Sequence, residues 1–215
     1  SIAAFAPPGA MWHPAPAVYM EKLVVNREVA DALGPEALDA PVPWTLGLVA
    51  RAKGKEVRDL VVFILDRPRH RALIHEVRRA GARVYLRPAG DIGAAVMAAD
   101  PHGDLDAMMG VGGASEGLLA ACAVKVLGGA MYGRVKPQSD TETEACRSAG
   151  IDLQQVRSAD DMIAGGDVFV TATGITSTAL VHGVRYRGDY VDTQSLVLRA
   201  DTGTRRIIST EHRLK

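Results

Sequence analysis

The stretch from Leu105 to Gly129 restricts the possible fold more than any other part of the chain. Its sequence is LDAMMGVGGASEGLLAACAVKVLGG. An apolar run at 105–109 predicts a buried strand, the glycines within 110–113 predict a loop, and the apolar segment 118–127 predicts a helix. A strand followed by a glycine loop and a helix start directs backbone N–H groups and a helix N-terminus at an anion.

Glu116 lies where such an anion would arrive, close to the first turn of the predicted helix. A carboxylate at this place repels a phosphate unless a cation lies between them. Two interpretations stay open. Glu116 stabilises the positive end of the helix by about 0.3–1 kcal/mol, or it offers one hard oxygen to Mg²⁺ or Mn²⁺, which need several such donors. A dinucleotide-binding pattern fails here, because Ser115 occupies the place of its third glycine.

Strands alternate with helices along most of the chain, which predicts an α/β fold with a parallel sheet and right-handed crossovers. The predicted strands are 17–25, 61–65, 82–86, 105–109 and 167–172, with further strands and turns over 186–208. The predicted helices are 44–55, 70–80, 92–99, 118–127, 139–149 and 159–164. Ligands bind beyond the carboxyl ends of such strands. The loops 66–70, 87–91, 110–116 and 173–176 are therefore the candidate binding loops.

Composition narrows the class of protein. Hydrophobic residues make up 47% of the 215 residues and aromatic residues only 5%, which is typical of α/β enzymes. Lys plus Arg and Asp plus Glu number 25 each, so no global basic field would recruit nucleic acid or an anionic membrane. No apolar run reaches the length of a membrane span. Cys122 and Cys146 lack metal-ligand spacing, and Cys122 is expected to be a buried, reduced thiol. We expect a soluble, cytoplasmic protein.

Two arginines in the first candidate loop suit a phosphorylated ligand. Arg67 and Arg69 flank Pro68, which stiffens the loop and fixes the separation of the two guanidinium groups. Paired arginines bind phosphate oxygens through their fork of donors. The alternative is two solvated arginines at a helix start. We favour the functional interpretation because positive charge at a helix N-terminus opposes the helix dipole.

Asp91 and Tyr19 each admit two interpretations. Asp91 follows Gly90 and could cap the helix at 92–99, or it could bind a sugar hydroxyl. Tyr19 and Glu21 share one face of the predicted strand and Met20 lies on the other. The phenol of Tyr19 could bind phosphate or simply pack.

Several long motifs occur in a characteristic order: LDRPRH, PAGDI, GVGGASEGLLAACAVKVLGG, ATGIT and VDTQSLVLR. In these motifs, over essentially the whole chain, the sequence resembles the class II, GlpX-type fructose-1,6-bisphosphatases. Some members of that family also hydrolyse sedoheptulose-1,7-bisphosphate. The resemblance implies a layered α-β-α-β-α sugar-phosphatase fold of the inositol monophosphatase and fructose-bisphosphatase type. It also implies an Mn²⁺ or Mg²⁺ cofactor and a homodimer or homotetramer.

The resemblance also implies the roles of individual residues. Glu116 would be the ligand of one catalytic metal. The substrate-binding positions would be Tyr19, Arg67, Pro68, Arg69, Ala89, Gly90, Asp91 and Gly113. Ala89 replaces the first acid of an Asp-Gly-Asp segment, which removes one hydrogen-bond acceptor.

The family's main metal motif, Asp-Pro-Ile-Asp-Gly-Thr, is absent from this sequence. In family members it precedes the segment matched by residues 1–20. We therefore expect the catalytic acids upstream of Ser1 and the N-terminal part of the fold to be missing. Residues 1–44 would be the remainder of a metal-binding domain and 45–185 a C-terminal α/β domain. Residues 186–215 would be strands that pack back on the body.

The resemblance implies metal-dependent hydrolysis of the 1-phosphate of fructose-1,6-bisphosphate, giving fructose 6-phosphate and phosphate. The alternatives are a non-catalytic sugar-phosphate-binding fragment and a nucleotide-binding enzyme of the Rossmann class. The failed glycine pattern argues against the second alternative.

Overall fold

The computed structural model describes residues 1–214. In that part of the chain the strands are β1 (Ile2–Phe5), β2 (Tyr19–Val25), β3 (Val61–Leu65), β4 (Arg83–Arg87), β5 (Ala107–Gly113), β6 (Ala130–Val135), β7 (Arg157–Ser158), β8 (Phe169–Thr173), β9 (Arg185–Arg187), β10 (Tyr190–Arg199) and β11 (Thr204–Arg213). The α-helices are α1 (Arg27–Ala30), α2 (Val42–Ala52), α3 (Arg71–Arg79), α4 (Asp91–Ala99), α5 (Ala114–Leu127), α6 (Asp140–Ser148) and α7 (Ala159–Met162). Short 3₁₀ helices cover Pro35–Leu38, Val57–Asp59 and Pro68–His70.

The strands form two sheets. The larger sheet has the order β4-β3-β5-β2-β6-β7, and the second has the order β1-β8-β10-β11 with β9 beside β10. Only β3 pairs in parallel, with β4 and β5, whereas every other pairing is antiparallel. The predicted parallel pairing is therefore present among β3, β4 and β5 alone, and the larger sheet as a whole is mixed. The alternation of strands and helices along the chain was predicted correctly. It carries no information on strands such as β2, which comes from an earlier part of the chain and lies between β5 and β6.

Helices and sheets stack in layers. The first apolar core lies between the two sheets and contains α4, α5 and α7 together with inward residues of both sheets, such as Val24 and Leu198. The second core lies on the opposite face of the larger sheet and contains residues of α2 and α3, such as Leu46 and Val77. The order is thus helices, sheet, helices, sheet, so the predicted α/β class is confirmed. The predicted division at residues 44 and 185 stays a prediction, and β1 and β2 each pair with later strands.

The glycine stretch differs from its prediction. The glycines at 110–113 belong to β5 and pair with β2 from Lys22↔Gly110 to Tyr19↔Gly113. Helix α5 begins at Ala114 directly after them, with Gly113 as N-cap. There is no glycine loop, because the neighbouring strand β2 supplies hydrogen-bond partners that sequence alone does not reveal.

Most other predicted elements are present within a few residues of their predicted bounds. The strand predicted at 167–172 is β8, but it lies in the second sheet. Cys122 is buried and unbonded, as predicted, and burial raises the pKa of its thiol to about 11. Among the described residues, no helix is both long enough and apolar enough to cross a bilayer.

Candidate functional site

The candidate site lies at one edge of the larger sheet, where β3 and β5 end and β2 begins. The register Tyr19↔Gly113 places the start of β2 beside the end of β5. The 3₁₀ turn after β3 reaches the same edge, since Arg69 and His70 both contact Val111 of β5. Helix α4 also begins there, because Asp91 contacts Lys22 of β2. Three of the four predicted binding loops therefore meet at one place.

Arg69 is held by the sheet and by an aromatic ring. Its Nε and Nη2 donate to the carbonyl oxygen of Val111 at 3.0 and 2.8 Å. Its guanidinium carbon lies 5.2 Å from the centre of the Tyr19 ring, within cation–π range. A guanidinium has five N–H donors, so Arg69 keeps donors for a ligand while its orientation is fixed.

His70 closes the gap that opens where β5 leaves β3. The two strands pair only at Val62↔Ala107 and Phe63↔Met108. Beyond that point the N–H of Val111 donates to Nε2 of His70 at 2.8 Å, and Nδ1 lies 2.7 Å from the carbonyl oxygen of Leu65. Because Nε2 accepts, Nδ1 must carry the proton. Burial, with the charge of Arg69 acting in the same direction, lowers the pKa of His70 below 6.5.

A buried ion pair joins β2 to the start of α4. Nζ of Lys22 lies 2.8 Å from Oδ2 of Asp91, and the Lys22 side chain is 1% exposed. The same ammonium donates to the carbonyl oxygen of Gly113 at 3.2 Å. Oδ1 of Asp91 accepts the N–H of Ile92 at 3.1 Å. Each carboxylate oxygen thus has one protein partner and a lone pair left for a ligand hydroxyl.

The interpretation of Asp91 as the N-cap of this helix is wrong, because the N-cap is one residue earlier. The N-cap of α4 is Gly90, which has a left-handed backbone with φ of 102°, and Asp91 is the first helical residue. Its carboxylate still lies at the positive end of the helix, but its principal partner is Lys22.

The glycines of β5 make room for charged side chains. A Cβ at Gly112 would overlap Oδ2 of Asp91 and would lie 2.8 Å from Nζ of Lys22. A Cβ at Gly113 would overlap the carboxylate of Glu116. Of these glycines only Gly110 has a positive φ, at 127°. The requirement for glycine at 112 is thus one of space, whereas at 113 the exposed Glu116 side chain could move aside. The space beside both glycines is filled by protein, which removes the basis for a dinucleotide cradle.

Glu116 is exposed in the first turn of α5, and its carboxylate folds back toward Gly113. It offers one hard oxygen donor of the kind that Mg²⁺ and Mn²⁺ prefer. Within residues 1–214, no group of three or more His, Cys, Asp or Glu side chains is arranged to hold a metal. The residues present therefore fit one ligand of a metal site and not a whole site.

Glu142 of α6 fixes the strand start that carries Tyr19. Its Oε1 accepts the N–H groups of Val18 and Tyr19 at 2.8 and 3.0 Å, and its Oε2 accepts that of Gln138 at 2.9 Å. One carboxylate therefore satisfies three backbone donors, which anchors the beginning of β2 to the loop after β6.

The structure brings Tyr19, Arg69, Asp91, Gly113 and Glu116 to one edge. The remaining predicted positions lie in the exposed turns beside them: Arg67, Pro68, Ala89 and Gly90. The fourth candidate loop, 173–176, belongs to the second sheet. It lines a cavity of about 490 Å³ together with Arg87, Ala89 and Gly90.

Sequence reasoning missed Lys22, His70 and Glu142. A signal for Lys22 was available, because it shares a strand face with Met20 and Val24, which both lie in the first apolar core. A lysine in the buried phase of a strand needs a charged partner. His70 and Glu142 carried no comparable signal. Each has one backbone partner nearby in sequence, but the partners that tie them to this edge are backbone groups 41 and 123–124 residues away.

The chain is similar to known proteins over nearly its whole length. A family model described as bacterial fructose-1,6-bisphosphatase, glpX-encoded, matches residues 1–212. The chain is 36% identical to fructose-1,6-bisphosphatase 2 class 2 of Escherichia coli (strain K12), with 99% of this chain and 69% of the relative covered. It is 34% identical to fructose-1,6-bisphosphatase class 2 of Haemophilus influenzae, covering 93% of this chain and 63% of that protein. It is 35% identical to fructose-1,6-bisphosphatase 1 class 2 of the same E. coli strain, covering 93% and 62%. The chain thus spans less than two thirds of the length of two of these three relatives.

Proposed function

This chain belongs to the bacterial, glpX-encoded fructose-1,6-bisphosphatase family. From that premise we propose that it acts as a phosphoric monoester hydrolase. The reaction is hydrolysis of the 1-phosphate of fructose-1,6-bisphosphate, giving fructose 6-phosphate and phosphate. The observation that carries the proposal is the convergence of Arg69, Tyr19, Asp91 and Glu116 at one sheet edge. The names of the relatives supply the substrate.

The turn that holds Arg67, Pro68 and Arg69, called the arginine turn below, binds the phosphate that is not cleaved. Arg69 is oriented by Val111 and Tyr19, and three of its five donors remain for phosphate oxygens. Among the described residues, no side-chain hydrogen bond or ion pair engages Arg67, which leaves its whole fork of donors for the same group. Two guanidinium groups held by Pro68 give charge and orientation together.

Asp91 binds a sugar hydroxyl. Its carboxylate is paired with a buried ammonium and a helix N–H, so its two remaining lone pairs are fixed in direction. Acceptors held in this way recognise a donor hydroxyl without reorganisation. Lys22 is a positioning residue in this scheme, because its side chain is too deeply buried to touch a ligand.

Glu116 would hold one divalent cation, Mn²⁺ or Mg²⁺, between its carboxylate and the phosphate to be cleaved. Such a cation polarises the phosphoryl group and lowers the pKa of a bound water. Glu116 fits this role because it is exposed and its carboxylate lies beside Gly113. A complete site needs further metal ligands and catalytic acids, because residues 1–214 hold no group of three or more such side chains. Residues 1–214 supply four layers of the layered α-β-α-β-α fold proposed for the enzyme.

Activity toward sedoheptulose-1,7-bisphosphate and a cytoplasmic location are further parts of the proposal. The replacement of an acid by Ala89 supports a wider choice of sugar, because one acceptor of the Asp-Gly-Asp segment is missing.

The test is phosphate release from fructose-1,6-bisphosphate by the full-length protein while Mn²⁺ is varied. Arg67→Ala should raise KM by roughly 10- to 100-fold with kcat little changed, as expected for a lost charged hydrogen bond to a bound phosphate. Glu116→Gln should raise the Mn²⁺ concentration needed for half-maximal rate or abolish turnover. Arg78→Ala, at the exposed end of α3, is the matched control.

Three outcomes would contradict the proposal. Unchanged KM in Arg67→Ala would remove the phosphate role of the arginine turn. Unchanged kinetics of Glu116→Gln at limiting Mn²⁺ would remove the metal assignment. Binding of the bisphosphate without any release of phosphate, even with metal present, would instead identify a sugar-phosphate-binding module.

A further inference from the structure

The outer edge of the second sheet is formed by β11, a strand of ten residues. Nine of the ten are exposed. Within residues 1–214, β11 pairs with β10 on one side and with no strand on the other. An edge strand presents a row of unpaired N–H and C=O groups, which is a template for another strand.

Two features distinguish this edge from an ordinary solvated one. Its centre is apolar, since Ile207 and Ile208 are 43% and 46% exposed. Its flanks carry opposite charges, with Arg205 on one side of the isoleucines and Glu211 on the other. A strand of this kind is complementary to itself when it runs antiparallel to a copy of itself.

We propose that β11 pairs with β11 of a second copy of this chain about a two-fold axis, so that the second sheet continues from one protomer into the next. An axis perpendicular to the sheet keeps the two faces distinct, so opposite residues must belong to the same face. The intrachain pairs Leu198↔Arg205 and Asp192↔Glu211 place Arg205 and Glu211 on one face of the sheet. These two residues can therefore lie opposite each other across the axis.

The charges select one register among those that satisfy this condition. With the axis at Ile208, the two Ile208 side chains meet and Arg205 lies opposite Glu211 of the partner subunit, twice by symmetry. Moving the axis to Ser209 would instead place Arg205 opposite Arg213. Moving it to Ile207 would leave Glu211 opposite Gly203. Only the register at Ile208 pairs both flanking charges with opposite ones.

Present contacts of these charges leave them available for a partner. Oε2 of Glu211 lies 2.8 Å from Nη2 of Arg187, but 55% of the Glu211 side chain is exposed. Arg205 lies 3.4 Å from Asp100, a loose contact, and keeps 47% of its side chain exposed. The Arg187–Glu211 pair is exposed on both sides and contributes little in isolation, so its geometry can be shared with a partner at low cost. Asp100 is only 10% exposed, and its Oδ1 keeps the N–H of His102 when Arg205 contacts a partner.

Charge reversal gives a sharp test, with molecular mass measured by sedimentation over a wide range of protein concentration. Arg205→Glu should place two like-charged pairs across the axis, and so should Glu211→Arg. Each should raise the dimer Kd by between about fourfold and several-hundred-fold, from two cross-strand pairs changed from attraction to repulsion. Arg206→Glu, which makes the same charge change opposite Thr210, is the matched control and should leave Kd nearly unchanged.

Mixing the two variants separates the interface from any effect on folding. In a mixed dimer the glutamate introduced by R205E would lie opposite the arginine introduced by E211R. The native Arg205 would lie opposite the native Glu211, so both pairs are attractive again. We therefore expect the mixture of R205E and E211R to associate more tightly than either variant alone, and less so at high salt. Circular dichroism of each variant confirms that the hairpin is folded.

The proposal fails on any of three results. A wild-type protein that is monomeric at all concentrations shows that β11 is covered by something else, such as another segment of a longer chain. Variants that dimerise as tightly as the wild type place the interface elsewhere. A mixture that associates no better than its components refutes the register. None of these results depends on phosphatase activity.

Discussion

Replacement of Lys22 by Met tests whether the buried ion pair is the device that joins β2 to α4. Methionine has nearly the same length and retains the apolar stem of Lys22, which lies close to Gly117 of α5. It removes the cation from Asp91, whose side chain is only 13% exposed. Removing one partner of a buried pair typically costs about 3–5 kcal/mol, because the other charge stays buried without compensation. Since Asp91 retains some contact with water and the N–H of Ile92, the lower end of this range applies.

The magnitude is isolated by a double-mutant cycle in the free energy of unfolding. Lys22→Met and Asp91→Asn each leave an unmatched group, whereas the double variant leaves neither charge. We expect a coupling energy of about 2 kcal/mol, measured from urea denaturation followed by circular dichroism. Lys136→Met is the control, because Lys136, directly after β6, is 49% exposed and its Nζ lies 3.6 Å from Oε2 of Glu21 on β2. Such a pair contributes at most about 1 kcal/mol.

Additivity of the two substitutions within about 0.5 kcal/mol would refute the reasoning. It would mean that Lys22 and Asp91 do not stabilise each other and that α4 is positioned by apolar packing alone. An effect of Lys136→Met as large as that of Lys22→Met would show that burial is not the cause.

Three further predictions concern the groups around this pair. His70 has a lowered pKa in the folded protein, so its neutral form contributes stability that is fully present above pH 6.5 and is lost as the pH falls from 6.5 toward the folded pKa. His70→Gln should reduce the slope of unfolding free energy against pH below 6.5 by up to about 1.4 kcal/mol per pH unit, and equal slopes would contradict this. Gly112→Ala should lower stability by at least about 1 kcal/mol in chemical denaturation because its methyl group would overlap the Asp91 carboxylate, whereas Gly166→Ala, with open space around it, serves as control. Glu142→Gln should raise KM for the phosphorylated sugar by loosening the strand start that carries Tyr19; a change in kcat without a change in KM would argue against that role.

The extent to which the site could be predicted depended on the range of the interactions. Local patterns were sufficient for the elements: the strand at 61–65, the helix near 92–99 and the buried Cys122 follow from apolar runs and period. The motifs also nominated Arg69, Asp91 and Glu116, which the structure brings to one edge. The same local patterns failed at β5, where three glycines predicted a loop.

The sequence by itself determined the α/β class, the position of most elements and the residue types suited to a phosphorylated ligand. These features depend on neighbours within a few residues, which apolar period and turn composition report directly. Tertiary structure alone decided that the larger sheet is mixed, that β8 belongs to a second sheet and that Lys22 forms a buried ion pair with Asp91. Those features depend on contacts between residues far apart in sequence, 69 positions in the case of the ion pair. No local pattern encodes which distant strand fills a gap. For the stretch 105–129, this means that its glycines make space for Lys22, Asp91 and Glu116, whose charges give the edge its chemistry.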